Sequence, residues 1–296
     1  MIRNIRGISD MNSLAHFEEN QPEQWYDKNY RVAIRHFPNG QTELSAYCVQ
    51  SMQFKARSDR LLAHDPVRLK PKEDVVLTDE ELLQKHEDCR RKSVARARQK
   101  LRWLVKSMNA DHLVTLNYRE NMQDMKRLKS DWQAFVRLVV ARYPDWQYVL
   151  VHEMQDRGAL HLHIAVHGRQ DIKYLRRCWY KVLGASPDAT GADTPGQVDV
   201  SGPSKRFGGK GYTWKANNLA GYMGKYMHKQ FAESEKGAKR YWASKSLQLP
   251  EPQKIWLGCT NFVDAIVATH DLARDCGIVE LTMWASEGWQ SIWMTG

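Results

Sequence analysis

The stretch "RGALHLHIAVHG", residues 157–168, decides the reading of the chain, because it alternates as a strand does yet carries three histidines. On an extended backbone Leu162, Ile164 and Val166 fall on one face, and His161, His163, Ala165 and His167 on the other. One face reads as core and the other as a site. Just upstream, "WQYVLVHEMQ" (146–155) is a second strand-like run, and Asp156-Arg157-Gly158 reads as a turn, so the two strands are antiparallel neighbours. Glu153 and Gln155 share a strand face that the hairpin folds beside His161 and His163. Two imidazoles with a carboxylate or amide oxygen make a mixed N/O donor set suited to Mg²⁺, Mn²⁺ or a similar divalent ion. Three alternatives stay open: Glu153 or Gln155 as the oxygen donor, a zinc centre of His161, His163 and His167, and plain polar filling. The zinc centre is the weaker one, since positions 163 and 167 stand ~13 Å apart on a strand rising ~3.3 Å per residue.

Composition sets the outer limits. The 296 residues carry 44 Lys plus Arg against 34 Asp plus Glu, a formal charge of +10 and a pI near 9.3, a balance suited to a polyanionic partner. Cysteines at 48, 89, 178, 259 and 276 are odd in number, scattered and without a CxxC pair, which argues against a disulfide framework and a cysteine zinc site. No apolar run approaches the ~20 residues of a membrane span, and "MIRNIRGISD" lacks the apolar core of a secretory signal. The expectation is a soluble cytoplasmic protein.

Along the chain, the first ~20 residues read as polar and loose. "YRVAIRHFPNGQTELSAYCVQ" (30–50) reads as a hairpin turning at Pro38-Asn39-Gly40, and 51–77 as loop. Thr78 and Glu81 form a capping box for a helix over about 79–108, with an apolar stripe of Val94, Ala97, Leu101, Leu104 and Met108. Its outer face carries Arg90, Arg91, Arg98, Lys106 and other bases with no acid after Asp88, either a solvated face or one that contacts phosphates. "HLVTLNY" (112–118) reads as a strand, Met125 to Val139 as a helix stopping before Pro144, Asp171 as the cap of a further helix, and "QVDVS" (197–201) as a short strand. The loop "GGKGYT" lacks the G-x-x-x-x-G-K-[ST] spacing of a phosphate loop, so no nucleotide cofactor is expected.

"NNLAGYMGKYMHK" (217–229) reads as a helix begun by Asn217 or Asn218. Tyr222 and Tyr226, i and i+4, stack on one face with Lys225 and Lys229 flanking them. A helix near 262–274 and a Trp-rich hairpin, "IVELTMWASEGWQSIWM", close the chain. The fold class is α+β, an antiparallel sheet with the histidines at its centre and helices against it.

In order, the strand "LVTLNY", Glu-x-Gln with His-Leu-His, and Tyr-x-x-Lys-Tyr on a helix resemble the three motifs of the HUH endonucleases. More narrowly they resemble the two-tyrosine rolling-circle replication initiators of bacterial plasmids and single-stranded DNA phages, including the gene A type. The match covers roughly residues 80–250. The resemblance implies an RRM-like, split βαβ palm, with substrate contact at Thr115, Asn117 and Tyr118; Asn117 stands where a second threonine is common. It implies that His161 and His163 bind metal with Glu153 or Gln155, and that Tyr222 and Tyr226 are nucleophiles helped by Lys225. A tyrosine phenolate would attack a phosphodiester, expel a 3′-hydroxyl and keep the 5′-phosphate, conserving the ester for rejoining. The implied partners are single-stranded origin DNA, contacted also by Lys229, Arg90, Arg91 and Arg98, together with a host helicase and polymerase in a bacterial cytoplasm. A relaxase or single-strand transposase would use the same residues. A non-catalytic RRM-like nucleic-acid-binding protein would instead show exposed stacking aromatics and indifference to metal.

Three segments are expected: 1–77 as an accessory segment with the hairpin, 78–255 as the catalytic domain, and 256–296 packing on that domain.

Overall fold

The computed structural model describes residues 5–6, 28–50, 78–155, 158–202, 216–229, 239–259, 261–279, 281–285 and 291–296. The expected loose N-terminus and the loops at 51–77 and around "GGKGYT" lie almost wholly outside these residues. The chain divides into two units, residues 77–249 and residues 1–76 with 250–296.

In the first unit, the strands β4 (His112–Tyr118), β5 (Val149–Met154), β6 (Leu160–Val166), β7 (Gly196–Ser201) and β8 (Trp242–Ala243) form a sheet in the order β7-β4-β6-β5-β8. Every neighbouring pair is antiparallel. The histidine strand β6 is therefore central, as expected. The expected α+β class holds, with an architecture consistent with an RRM-like palm.

Local signals fix the helices. In α1 (Asp79–Ser107) the Thr78 hydroxyl accepts from Glu81 N at 3.3 Å, while Thr78 N donates to the Glu81 carboxylate at 2.9 Å, so the capping box forms. Asp124 accepts from Lys126 N and Arg127 N to start α2 (Met125–Arg142), which stops ahead of Pro144. Asp171 caps α3 (Ile172–Val182) by accepting from Tyr174 N. The helix α4 (Ala216–Lys229) starts one residue before Asn217, so that asparagine and Asn218 sit inside its first turn instead of capping it.

Both faces of the sheet are covered. Leu116, Leu150, Leu162, Ile164 and Val166 join Leu128, Trp132 and Phe135 of α2 and Leu175 and Trp179 of α3 in one core. On the opposite face Leu113, Val149, Val151 and Ala165 meet Leu101, Leu104 and Val105 of α1 and Leu219, Ala220 and Met223 of α4. Lys106, expected on the outer face of α1, is 0% exposed, because the end of that helix is enclosed where a helical wheel alone would leave it wet.

In the second unit the expected hairpin forms from β2 (Lys28–His36) and β3 (Thr42–Gln50). With β1 (Ile5–Arg6), β9 (Gln253–Trp256), β10 (Thr282–Ala285) and β11 (Ser291–Thr295) it builds a sheet ordered β1-β10-β11-β3-β2-β9. The helix α5 (Phe262–Asp275) supplies Phe262, Ala265, Ile266 and Ala273 to a core with Tyr30, Val32, Leu44, Ile292 and Met294. The expected three-part division changes accordingly: the C-terminal segment completes the N-terminal sheet, since β11 pairs with the free edge of β3 through Ile292 opposite Ala46 and Met294 opposite Leu44. Among the described residues no helix is long and apolar enough to cross a membrane.

Gly196 permits the closest approach in the first unit. It pairs with Tyr118, and a Cβ there would press into the Asn117 carbonyl oxygen and stand 3.0 Å from Trp179 Nε1, which itself donates to that oxygen. Gly196→Ala is therefore expected to cost about 3 kcal/mol and lower Tm by roughly 6–10 °C. Gly221→Ala, whose Cβ meets open space on α4, should leave Tm unchanged or raise it, and thermal melts of the two variants check this contrast.

Candidate active site at the centre of the five-stranded sheet

Strand pairing lines up two rows of side chains on the face covered by α1 and α4. One row runs Asp199, Thr115, His163, Val151, and the next Gln197, Asn117, His161, Glu153. His161 is 7% exposed and His163 6%, whereas Thr115 and Asn117 are half-buried and Gln197 and Asp199 exposed. Exposure thus rises across the face from β6 through β4 to β7.

His163 Nε2 lies 3.0 Å from Glu153 Oε2. An ionised carboxylate only accepts, so this contact places the proton on Nε2 of a neutral ring. Burial pushes the His163 imidazole below its ordinary range, and the Glu153 hydrogen bond and charge offset only part of that effect. A neutral imidazole is the form that ligates a metal. Two cis ligands at ~2.1 Å in an octahedral shell stand ~3.0 Å apart, so a divalent ion could replace the shared proton between these two atoms. Among the described residues no three His, Cys, Asp or Glu side chains are drawn together as a metal-holding group, so His161 shares the face without converging on the pair.

The helix α4 crosses this face with Tyr222 turned inward. Its ring stands edge-on to His163, centroids 6.3 Å apart and planes at 89°. Lys225, one turn on, is exposed. Arg98 of α1 lies over α4 at Gly224, where a Cβ would come 3.5 Å from its Nε. A guanidinium from the basic helix therefore reaches the tyrosine helix between Tyr222 and Lys225. Tyr226 and Lys229 continue α4, and their side chains lie outside the described ones.

Several expected site residues stand elsewhere. Tyr118 is 3% exposed on the opposite face, its ring packed on Trp179 at 5.1 Å and its hydroxyl donating to Asp131 at 3.0 Å. Strand parity is the reason: Tyr118 shares the side of Leu116, whereas Thr115 and Asn117 share the side of the histidines. Gln155 falls past the end of β5, in a turn where its N–H donates to Ala159 O and its carbonyl accepts from Gly158 N. Gly158 holds a φ of +84° there, a conformation that favours glycine. Asp156 and Arg157, expected in the same turn, lie outside the described residues. His167 is exposed, with Nδ1 2.7 Å from the Asn109 carbonyl oxygen. Arg91 pairs with Asp88 at 3.3 Å and Glu87 at 3.8 Å along α1, and Arg90 is exposed on that helix. Gln197 and Asp199 were not among the expected site residues, although the alternation of "GQVDVS" holds their signal. Asn117 Oδ1 is buried with no hydrogen-bond partner among the described residues, a polar atom left over beside His161.

A family model described as a replication-associated protein of the ORF2 type matches residues 111–231, the span from β4 through α4 that holds Thr115, Glu153, His161, His163 and Tyr222. No curated protein and no solved structure gives a significant match to the chain.

The buried imidazoles give stability a direction in pH. His152, like His163, is held below its ordinary range chiefly by burial. In the unfolded chain both titrate near ~6.5, so below that pH the unfolded state binds more protons and stability falls as pH drops. Urea unfolding in chelator between pH 7.5 and 5.5 should show this loss, at most about 1.4 kcal/mol per pH unit for each histidine. His163→Asn should flatten the slope.

Proposed function

We propose that residues 77–249 nick and rejoin single-stranded DNA at a replication origin, with Tyr222 as a nucleophile that forms a 5′-phosphotyrosine. The observation that carries this reading is the phenol of Tyr222 held edge-on to His163, itself hydrogen-bonded to Glu153. The match to a replication-associated family over the same residues supports a role in replication initiation.

In the proposed reaction the Tyr222 oxygen forms a bond to phosphorus as it gives up its proton, and the bond from phosphorus to the 3′ oxygen breaks. That oxygen leaves as a hydroxyl once protonated, and the ester energy stays in the tyrosyl phosphate. Reversal by a 3′-hydroxyl rejoins the strand without a nucleotide cofactor. When bound, a divalent ion such as Mg²⁺ or Mn²⁺ polarises the non-bridging phosphate oxygens. His163 and Glu153 would hold it, with His161 beside them on the face. Lys225 and Arg98 place positive charge along α4, which favours the phenolate and the incoming phosphate. Thr115 and Asn117 offer polar contacts on the half-open side of the face, and Tyr226, one turn beyond Tyr222, would be the second nucleophile for a later cut.

A denaturing gel of protein incubated with labelled single-stranded DNA tiling the encoding element tests this. Wild type is expected to give a labelled covalent adduct with Mg²⁺ or Mn²⁺ and none with chelator. Tyr222→Phe should reduce the first-cut adduct by about 10³-fold or more, as loss of a covalent nucleophile does. An adduct that persists in Tyr222→Phe and disappears in Tyr226→Phe would transfer the first nucleophile to Tyr226. Binding of every tile with no adduct under either metal would overturn the nuclease reading.

A further inference from the structure

The unit formed by residues 77–249 has a second concave feature, a cleft of about 1000 Å³ along the β8 edge of the sheet, which shares no lining residue with the candidate active site. Two helical stripes wall it: Ser93, Ala97, Lys100 and Leu104 of α1 recur at 4-3-4 spacing, and Lys129, Gln133, Val136 and Arg137 lie on one side of α2. Residues 239–247, including β8, make the floor.

The charge of the cleft is one-sided. Lys100, Lys129, Arg137, Lys239, Arg240 and Lys245 line it, and no Asp or Glu does among the described residues. The whole chain carries 34 acids for 44 bases, so the cleft departs from the average. All but Arg240 are exposed, and none of those five takes part in an ion pair among the described residues. Arg240 is half-buried, donates to Ser93 Oγ at 2.9 Å, and is disfavoured in its charged form by burial and by the like charge of Arg90. Fixing a guanidinium near another without an acid opposite is unfavourable until an anion arrives.

Aromatic rings interleave with these cations. Tyr148, Tyr241 and Trp242 line the cleft and are each half-buried. Trp242 is braced by the His152 ring at 5.6 Å and Tyr148 by Trp132 at 4.8 Å, so the rings are held in place. Lysines that track a backbone beside braced aromatic rings are the equipment of a single-strand groove, where unpaired bases stack and phosphates meet cations. A duplex keeps its bases paired and offers no such faces to the rings.

We infer that this cleft binds single-stranded DNA flanking the segment handled at the candidate active site, with phosphates on the lysines and arginines and bases against Tyr148, Tyr241 and Trp242. The inference rests on the DNA-processing reading above for its ligand, while its residues are separate.

The test is fluorescence anisotropy of the full chain with a labelled 30-nucleotide oligo-dT across a salt series. The compared variants are Lys100→Gln/Lys129→Gln/Lys245→Gln in the cleft and Arg169→Gln/Lys173→Gln/Arg176→Gln, exposed cations outside it. The cleft variant is expected to bind about 10-fold or more weakly at 0.1 M salt, with its log–log salt slope shallower by about two, at about 0.7 per lost phosphate contact. The control variant should stay near wild type. Equal losses in both variants, or none in either, would overturn the inference, as would wild-type preference for a duplex of equal length. The adduct gel run alongside separates the two readings. No adduct anywhere, with binding still lost in the cleft variant, would sink the nuclease and keep the cleft, whereas an adduct with oligo-dT binding unchanged in the cleft variant would do the reverse.

Discussion

The first unit depends on a strand with no wet face. Every residue of β6 is buried, because helices cover both sides of the sheet, and two of those residues are imidazoles. Burying a polar group without a partner costs on the order of 1–3 kcal/mol, so the surroundings must supply hydrogen bonds for the fold to tolerate it. Glu153, from the neighbouring strand, does so for His163. Register is pinned as a result, since a slip of one residue would carry His161 and His163 into the aliphatic core and turn Leu162 and Ile164 toward α4. The Tyr118–Gly196 pairing and the Trp179 hydrogen bond to the Asn117 carbonyl hold β4 and β7 to the same register from the other side.

Much of this could be read from residues whose signals are local. Alternation in "LHLHIAV" places the histidines on one face, the Thr78–Glu81 box starts α1, and Asp124 and Asp171 start their helices, all within a few residues of chain. The same alternation assigns Tyr118 to the Trp179 side; there the likeness to a known motif pulled the reading away from parity. What escaped depends on distant segments. The strands β8 and β9 span two and four residues, too short to show a period. The C-terminal hairpin announces its strands but not their partner, and its pairing with β3 is a matter of which open edge lies within reach. Lys106 has the sequence context of a solvated base and is enclosed by tertiary packing. The cleft is assembled from α1, α2 and residues 239–247, so its one-sided charge exists only once the three are brought together.

On the proposed reading, the two places where this unit meets DNA separate two electrostatic problems. Affinity for a phosphate chain comes from many cations that stay solvated, and exposed lysines such as Lys129 and Lys245 supply it at little desolvation cost. Chemistry needs few charges in a dry place, where a surplus cation would be costly. Burial keeps the His163 ring neutral, so the buried face carries little positive charge of its own. Two neutral imidazoles and one carboxylate amount to minus one, and a divalent ion brings that set to plus one, the charge that a single phosphodiester cancels. The site would then be near neutrality only with both ion and substrate present. A protonated imidazole in its place would leave excess positive charge inside the sheet, which is the state that burial of His163 disfavours.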